Sequence, residues 1–266
     1  MKTTFLGHNK PLLTNMIIEM TPAESIATIR NAIYDGADAF GFHLCRFPKQ
    51  YQNVGTLKNI FNYAEDRPIL VMNYRRHLNE GIPDEELVEG HMMALEAGAT
   101  MCDIMADMYD PSPLEITYNE KAIDKQKRLI EEIHKKGGEV LMSSHTWQFY
   151  TAEQAVEHAK AVESRGTDMI KIAMRADTED ELLEVIKTTI LLKREVKIPC
   201  LYVCMGQYGK AHRVLVPVFG SPMVLCVQKY DELSHKEQPL LRSTKAVLDN
   251  LDWKLSRDVS TIYTYN

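Results

Sequence analysis

The sequence of 266 residues lacks several features that mark common classes of protein. It contains no run of basic residues that could follow a phosphate backbone, and its net charge is -6, so we expect no nucleic acid as a partner. No stretch approaches the roughly 18 consecutive apolar residues of a membrane-spanning helix, and the N-terminus lacks the apolar core of a signal peptide. These absences predict a cytoplasmic protein without membrane attachment.

Metal-binding and disulfide patterns are missing as well. The five cysteines form no CxxC pair and lie mostly in apolar runs, which predicts reduced thiols packed in the core. His77 and His91 lie close in sequence to Glu80 and Asp84, but their spacing does not fit the HExxH pair of a helical zinc site. We therefore predict no metal and no other cofactor.

Short apolar segments alternate with longer amphipathic segments along the chain, which is typical of β-α-β units. The predicted strands are residues 16–20, 38–44, 68–74, 101–106, 139–145, 169–173, 200–205 and 223–227. The clearest predicted helices are residues 23–35, 84–97, 119–136, 152–165 and 179–194. Glycines follow several of these helices, as expected at helix C-termini.

Two folds share this alternation, the (β/α)8 barrel, or TIM barrel, and the doubly wound open sheet. Eight roughly even repeats and the absence of a glycine-rich phosphate-binding turn after the first strand favour the barrel. No linker rich in Pro, Gly or Ser divides the chain. We therefore predict a single barrel domain over residues 1–266, with residues 1–15 capping its lower end.

Two polar side chains belong to neighbouring predicted strands. Lys171 interrupts an apolar run, and His145 ends the preceding strand. Neighbouring strands lie about 4.8 Å apart, and the C-terminal strand ends form the mouth of a barrel, so we expect both side chains in one pocket. Apolar surroundings disfavour the ammonium and favour the neutral amine that attacks ketones. The alternatives are an ion pair of Lys171 with a buried carboxylate such as Asp103, and a structural role for His145.

Four short motifs, taken together, resemble the type I 3-dehydroquinate dehydratases in order and spacing. The motifs are Ser143-Ser144-His145-Thr146-Trp147, Thr167-Asp168-Met169-Ile170-Lys171-Ile172-Ala173, Met205-Gly206-Gln207-Tyr208-Gly209-Lys210-Ala211-His212-Arg213 and Phe219-Gly220-Ser221. The resemblance covers nearly the whole chain and is strongest between residues 139 and 221. It implies a cofactor-independent lyase of the shikimate pathway that acts as a homodimer.

The resemblance implies roles for the catalytic residues. In that family a lysine on the sixth strand forms an imine with the substrate ketone, and Lys171 takes this position. A histidine that ends the fifth strand removes the proton next to the imine carbon and later protonates the departing hydroxyl, and His145 takes this role. The imine acts as an electron sink and so lowers the barrier to deprotonation. An acidic residue tunes the histidine, and Glu80 matches it in the Arg-x-x-x-Glu-Gly pattern that begins at Arg76.

The resemblance also implies how a small carboxylated ketone is bound. Arg213 matches the arginine that holds the substrate carboxylate through two parallel charge-assisted hydrogen bonds. Arg76 is expected to bind the substrate as well. Ser234 and Gln238 match a loop after the eighth strand that closes over the same end of the ligand, although Lys236-Glu237 stands where the family has Pro-Gly.

The family pattern changes at the second strand. Relatives carry Glu-x-Arg-x-Asp there, which binds ring hydroxyls, whereas the corresponding residues here are Gly41, His43 and Cys45. The Asp-x-Glu pattern of the fourth strand becomes Asp103-Ile104-Met105, and Thr146 follows the histidine where the family usually has Asp. A pocket that has lost these groups is expected to discriminate differently between hydroxylated substrates.

Two residues are candidates to replace the lost contacts. His43 is expected to face the barrel mouth if Gly41 does, because strand residues two apart share a face, and it would donate to a hydroxyl. Glu19 lies near the end of the predicted first strand, beside the altered second strand. It either lines the pocket or is a solvated residue beyond the strand end.

The sequence is compatible with three functions. The first is a Schiff-base dehydratase that converts 3-dehydroquinate to 3-dehydroshikimate by syn elimination of water. The second is a Schiff-base dehydratase or aldolase that acts on a different hydroxylated ketoacid. The third is a catalytically silent barrel that binds a metabolite, which the altered second strand suggests.

Overall fold

The computed structural model describes residues 3–251, in which eight parallel strands form a nearly closed barrel surrounded by helices. The strands are β1 Leu12–Ile17, β2 Ala39–His43, β3 Ile69–Met72, β4 Met101–Met105, β5 Glu139–His145, β6 Met169–Arg175, β7 Cys200–Met205 and β8 Met223–Cys226. The α-helices are α1 Pro22–Tyr34, α2 Val54–Asn62, α3 Asp84–Glu96, α4 Glu120–Lys135, α5 Ala152–Glu163, α6 Glu179–Glu195, α7 Gly209–Leu215 and α8 Leu241–Leu248. The predicted (β/α)8 barrel is confirmed. The predicted domain also includes residues 1, 2 and 252–266, which lie outside the described part.

Local sequence signals account for where helices begin and end. Thr151 and Thr178 cap α5 and α6 through capping boxes with Gln154 and Glu181, which satisfy backbone N–H groups that the first helical turn leaves free. Gly98, after α3, has a φ of 108°, a conformation that residues with a Cβ rarely adopt. These signals set the spacing that brings the chain back to the next strand.

The strand order is β7-β6-β5-β4-β3-β2-β1-β8, so β7 and β8 flank the seam at which the barrel closes. The register between β5 and β6 places Ser143 beside Lys171 and His145 beside Ala173. Lys171 and His145 therefore lie on adjacent strands, with the histidine closer to the C-terminal rim. This arrangement agrees with the prediction that their side chains share a pocket.

The first strand begins earlier than predicted, at Leu12 rather than residue 16, and ends at Ile17. Thr14 and Asn15 are fully buried, although their polarity made this stretch a weak strand candidate in the sequence. Pairing on both sides fixes the register, because Leu12 lies beside Met223 of β8 and Thr14 beside Ala39 of β2. The predicted boundaries 16–20 were therefore wrong at both ends.

The residues before β1 pack under the barrel, as predicted, although residues 12–15 of the predicted cap belong to β1. Thr4 donates its hydroxyl to the Glu139 carboxylate at the start of β5, and the backbone N–H of Phe5 donates to the same group at 3.0 Å. Thr3 forms a hydroxyl contact of 3.3 Å with Thr100, just before β4. Phe5 is buried in the main hydrophobic core, so the segment closes the lower end of the barrel.

The interior of the fold is apolar and contains the thiols. All five cysteines are free, and four of them, Cys45, Cys102, Cys204 and Cys226, are buried as predicted, whereas Cys200 is partly exposed. None of the helices within residues 3–251 combines the length and the apolar character needed to cross a membrane.

Candidate active site

A cavity of about 210 Å³ opens at the C-terminal ends of the strands. Polar groups in a parallel barrel converge at this end, because the loops that follow the strands enclose the only deep cleft. The cavity brings together six of the residues that the sequence singled out, namely Lys171, His145, Arg76, Arg213, His43 and Gln238. Tyr74, Trp147, His77, His235 and Glu237 also line it.

Lys171 projects from β6 into the cavity and is only 5% exposed. Its Nζ donates to Tyr74 Oη at 2.7 Å and to Asp103 Oδ2 at 3.2 Å. Its neighbours are therefore not purely apolar, as the strand sequence suggested. The ion pair with Asp103, one of the two alternatives from the sequence, is present together with access to the cavity.

Tyr74, which the sequence analysis did not single out, joins the two polar centres. Its hydroxyl donates a short hydrogen bond to Asp103, and its ring centroid lies 5.2 Å from Lys171 Nζ and 5.2 Å from the His145 ring centroid. Burial, reinforced by the negative charge of Asp103, raises the pKa of Tyr74 well above its usual value. The phenol therefore stays protonated near neutral pH.

His145 is held by Glu115. The Glu115 Oε2 atom accepts hydrogen bonds of 2.8 Å from both the backbone N–H and the Nδ1 of His145. Burial lowers the pKa of His145, and nearby Lys171 lowers it further, while Glu115 raises it. The imidazole is therefore neutral near pH 7, and the bond from Nδ1–H leaves Nε2 free to accept a proton.

The charge of Glu115 is fixed by its partners. Burial alone would raise its pKa, but the hydrogen bonds and the charges of His145 and Arg76 lower it to about 2. Arg76 donates a short hydrogen bond to the second oxygen of Glu115, and its guanidinium lies 5.0 Å from the centroid of the Trp147 ring. Arg76 therefore lines the cavity as predicted, but with part of its charge already neutralised.

Glu80 does not occupy the place that the sequence assigned to it. It is exposed and follows the short 3-10 helix His77–Asn79, and it makes no contact with His145. Glu115, which lies in the irregular segment after β4 and has a φ of 48°, provides the carboxylate instead. The motif match at Glu80 carried no information about which loop reaches the histidine.

Arg213 and Gln238 lie in the cavity wall, in agreement with the prediction. Arg213 of α7 is buried, and its Nε donates to the carbonyl of Cys204 at 3.1 Å, which orients the guanidinium. Gln238 is also buried, and its Oε1 has no hydrogen-bond partner among residues 3–251. Both side chains therefore add polar groups to the lining of the cavity.

Two predicted binding residues lie outside the cavity. The Oγ of Ser234 accepts from the backbone N–H of Asp231 and donates to its carbonyl, so it stabilises its own loop. Glu19 lies beyond the end of β1, where it accepts from the backbone N–H of Ile18 at 2.9 Å and from the hydroxyl of Thr28 on α1. Burial raises the pKa of Glu19. The carboxylate thus joins β1 to α1 and does not line the site.

The altered second strand has a physical counterpart in the cavity. A Cβ added to Gly41 would lie only 2.7 Å from Sδ of Met16 and 3.1 Å from Cε of Met72, so these side chains fill the place of a longer residue. His43 lines the cavity as predicted, whereas Cys45 is buried behind it with its Sγ 4.0 Å from His43 Nδ1. Within residues 3–251 no group of three or more His, Cys, Asp or Glu side chains is arranged to hold a metal ion.

Comparisons with curated proteins agree with these motifs. The 3-dehydroquinate dehydratase of Alkaliphilus oremlandii is 29% identical over 108 residues, which cover 40% of this chain and 42% of that protein. The enzyme of Neisseria gonorrhoeae is 26% identical over 165 residues, or 57% of this chain and 63% of that protein. The chain thus aligns with less than two thirds of either relative. The Klebsiella pneumoniae enzyme is 23% identical over 227 residues, 84% of this chain and 86% of that protein.

Solved structures agree in fold. The 3-dehydroquinate dehydratase from Geobacillus kaustophilus has a TM-score of 0.75 at 19% identity, with 91% of both chains covered. The type I 3-dehydroquinate dehydratase from Clostridium difficile with covalent modified comenic acid has a TM-score of 0.75 at 18% identity, with 91% of this chain and 93% of that chain covered. The family model for type I 3-dehydroquinase matches residues 16–251. Because that match spans most of the sequence, the chain belongs to the type I 3-dehydroquinase family.

Proposed function

We propose that the protein is a carbon-oxygen lyase that converts 3-dehydroquinate to 3-dehydroshikimate through an imine on Lys171. One observation carries the proposal, namely that Lys171 and His145 open on the same cavity and flank the ring of Tyr74. A buried amine is suited to imine formation, and a neutral imidazole is suited to proton transfer. Membership of the type I family supports the same reaction.

Imine formation begins with the loss of a proton from Lys171. Tyr74 Oη accepts a hydrogen bond from Nζ and donates one to Asp103, so the phenol forms a path for the proton from the ammonium to the carboxylate. The neutral amine then adds to the ketone carbon. Loss of one water from the resulting carbinolamine leaves the protonated imine, which withdraws electrons from the neighbouring C–H bond.

Elimination uses His145 twice. Its neutral Nε2 removes the proton next to the iminium carbon, and the electron pair forms an enamine. The enamine then expels the hydroxyl on the next carbon, which leaves as water with the proton from His145. Addition of one water to the iminium releases the enone and restores Lys171, so the net change is the loss of one water from the substrate.

Substrate orientation is assigned to Arg213 and Gln238. The charge of Arg76 is largely balanced by Glu115, so Arg213 is the better partner for the substrate carboxylate. Gln238 lies in the loop that crosses the same part of the cavity and contributes its amide. Tight binding of the carboxylate places the ketone against Lys171.

A second candidate is the same imine chemistry on a different hydroxylated ketoacid. The observation that favours it is the crowded space at Gly41, where the side chains of Met16 and Met72 occupy the place of the acidic side chain that the family has there. A substrate whose distal end lacks the hydroxyl pattern of 3-dehydroquinate would fit this wall equally well. The homodimer implied by the resemblance and the cytoplasmic location predicted from the missing apolar segments stay predictions.

Reductive trapping tests the proposal directly. The protein is incubated with 3-dehydroquinate and borohydride and then weighed intact, and the modified peptide is mapped. An adduct on Lys171, together with the absorbance of a conjugated product in the absence of borohydride, is the expected result. A Lys187→Met variant, which changes an exposed lysine on α6, should still form the adduct, whereas Lys171→Met should not. Failure of every tested ketoacid to modify Lys171 would contradict the proposal.

A further inference from the structure

The side of the cavity next to β2 is built from basic residues. His43 ends β2, His77 follows β3, and His235 belongs to the loop between β8 and α8, and all three line the cavity. Arg46 lies against two of them, because its Nε donates to His77 Nε2 at 3.2 Å and its Nη2 lies 3.4 Å from His235 Nε2. We call these four residues the β2 wall.

The β2 wall carries a positive charge that its own hydrogen bonds do not neutralise. The third hydrogen bond of Arg46 goes to the carbonyl of Leu233 at 2.8 Å, so the acceptors around the guanidinium are two imidazole nitrogens and a carbonyl. Of the other cations at the cavity, Arg76 pairs with Glu115 and Lys171 pairs with Asp103, whereas Arg213 donates to the carbonyl of Cys204. The β2 wall is therefore a second place at the cavity, besides Arg213, where a guanidinium contacts neutral acceptors instead of a carboxylate.

The histidines of the wall are neutral donors near pH 7. Burial, followed by the charge of Arg46, lowers the pKa of His43 well below its usual value and lowers that of His235 to about 4, and the pKa of His77 is lowered for the same reasons. Arginine can only donate, so the Nε2 atoms of His77 and His235 accept from Arg46. Their protons then lie on Nδ1, which leaves an N–H donor on each ring.

The residues beside the β2 wall offer few acceptors to a ligand hydroxyl that must donate a hydrogen bond. Met16 and Met72 occupy the space beside Gly41, and Cys45 is a buried thiol behind His43 whose pKa burial raises. Thioethers and a neutral thiol are weak acceptors. N–H donors backed by a guanidinium favour instead a ligand group that accepts strongly and carries negative charge.

We propose that the β2 wall binds a second carboxylate of the substrate, so that the ketone substrate is a dicarboxylate. This inference rests on the proposed imine chemistry, which places the ketone at Lys171 and the first carboxylate at Arg213. It selects the second candidate substrate, a ketoacid other than 3-dehydroquinate, because 3-dehydroquinate carries a single carboxylate. Arg213 follows β7 and Arg46 follows β2, so β8 and β1 separate the two guanidinium groups around the barrel rim. One ligand with carboxylates at both ends satisfies both groups, with its carbonyl carbon between them.

Calorimetric titration with two matched pairs of ligands tests the wall without requiring imine formation. The pairs are heptanedioate with 7-hydroxyheptanoate and hexanedioate with 6-hydroxyhexanoate, which differ only in whether one end is a carboxylate or a hydroxyl. For at least one length we expect the diacid to bind at least about tenfold more tightly, since a charge-assisted hydrogen bond is gained at the wall. The preference should shrink as salt is added, because added salt screens charges.

Arginine variants show whether the preference belongs to the wall. Arg46 positions and charges the histidines, so Arg46→Met should reduce the diacid preference below about threefold, and Arg46→Lys should keep most of it. Arg242→Met is the matched control, because Arg242 is an exposed arginine of α8 that pairs with Asp35 and not with the histidines of the wall. Thermal unfolding of each variant shows that it is folded before its affinities are compared.

Two results would overturn the proposal: no diacid preference at either length, including no binding at all, or a preference that survives in Arg46→Met. Borohydride trapping on the same preparations keeps the proposed function separate. A diacid preference without an adduct on Lys171 would retain the wall and reject the imine chemistry. An adduct with 3-dehydroquinate but no diacid preference would retain the imine chemistry and reject the proposed role of the wall.

Discussion

The carboxylate that supports His145 can be identified by two isosteric substitutions, Glu115→Gln and Glu80→Gln. Glu115 accepts two hydrogen bonds of 2.8 Å from His145, whereas Glu80 is exposed and makes no contact with it. In the proposed reaction His145 takes a proton from the substrate and becomes an imidazolium, and a carboxylate at Nδ1 would stabilise that charge. Glutamine keeps the shape but removes the charge, so the loss should appear in the step that His145 performs.

The size of the effect follows from the strength of one charge-assisted hydrogen bond. Such a bond is worth about 1.5–3 kcal/mol, which corresponds to about a 10- to 150-fold decrease in kcat. The lowered pKa of Glu115, about 2, indicates that its ionised form is strongly favoured beside His145 and Arg76. The substitution also removes the group that raises the pKa of His145, so the remaining base should be weaker.

The assay compares steady-state turnover of 3-dehydroquinate with borohydride trapping. Glu115→Gln should lose turnover but still form the adduct on Lys171, because the amine and its partner Asp103 are unchanged. Glu80→Gln should keep turnover within about twofold, as expected for a surface substitution. The reasoning is refuted if Glu80→Gln loses activity and Glu115→Gln does not.

Three further outcomes can be measured. Tyr74→Phe, which removes the acceptor of Lys171 Nζ, should slow turnover and trapping together by about tenfold; equal rates would exclude the proton path. Burial lowers the pKa of His91 from 6.5 to about 4. The contribution of neutral His91 to the free energy of unfolding is therefore complete above pH 6.5 and should fall by on the order of 3 kcal/mol as the pH approaches 4. Urea unfolding at several pH values should show that the stability of His91→Leu decreases less steeply as the pH falls. An unchanged dependence of stability on pH would reject this cause. Glu139→Ala, which frees Thr4 and the N–H of Phe5, should cost about 1–3 kcal/mol in thermal unfolding, unlike the exposed control Glu131→Ala, and equal losses would contradict the N-terminal cap.

The sequence predicted the barrel and the reacting pair because both depend on regular structure. Strand ends are read from apolar runs, and parallel strands bring their C-terminal residues to one rim, so Lys171 and His145 had to lie near each other. The first strand was misplaced because Thr14 and Asn15 interrupt its apolar run, yet both are buried by pairing on either side. Because of that error, Glu19 was taken for a residue near the end of the strand and became a candidate for the site.

Contacts made by irregular segments could not be predicted in the same way. Glu115 reaches His145 from a loop with a left-handed residue, and its sequence separation of thirty positions gives no sign of the contact. The β2 wall combines three loops that meet only in the folded chain. Tyr74 was overlooked because a tyrosine at a strand end is most often a packing residue, and its hydroxyl partners lie on two other strands.

The two ends of the loop from β8 to α8 are joined by the bridge between Val227 and Leu240. The backbone N–H of Val227 donates to the carbonyl of Pro239 at 3.0 Å, and the N–H of Leu241 donates to the carbonyl of Val227 at 2.9 Å. The loop carries His235, Glu237 and Gln238 into the cavity, whereas Lys171 and His145 stand on strands. The residues proposed to react thus lie on strands, whereas those proposed to bind the ligand lie in a loop, and loops tolerate substitution better than strands. If the proposed function holds, exchange of residues 228–239 alone should change which ketoacid is bound while Lys171 and His145 keep their positions.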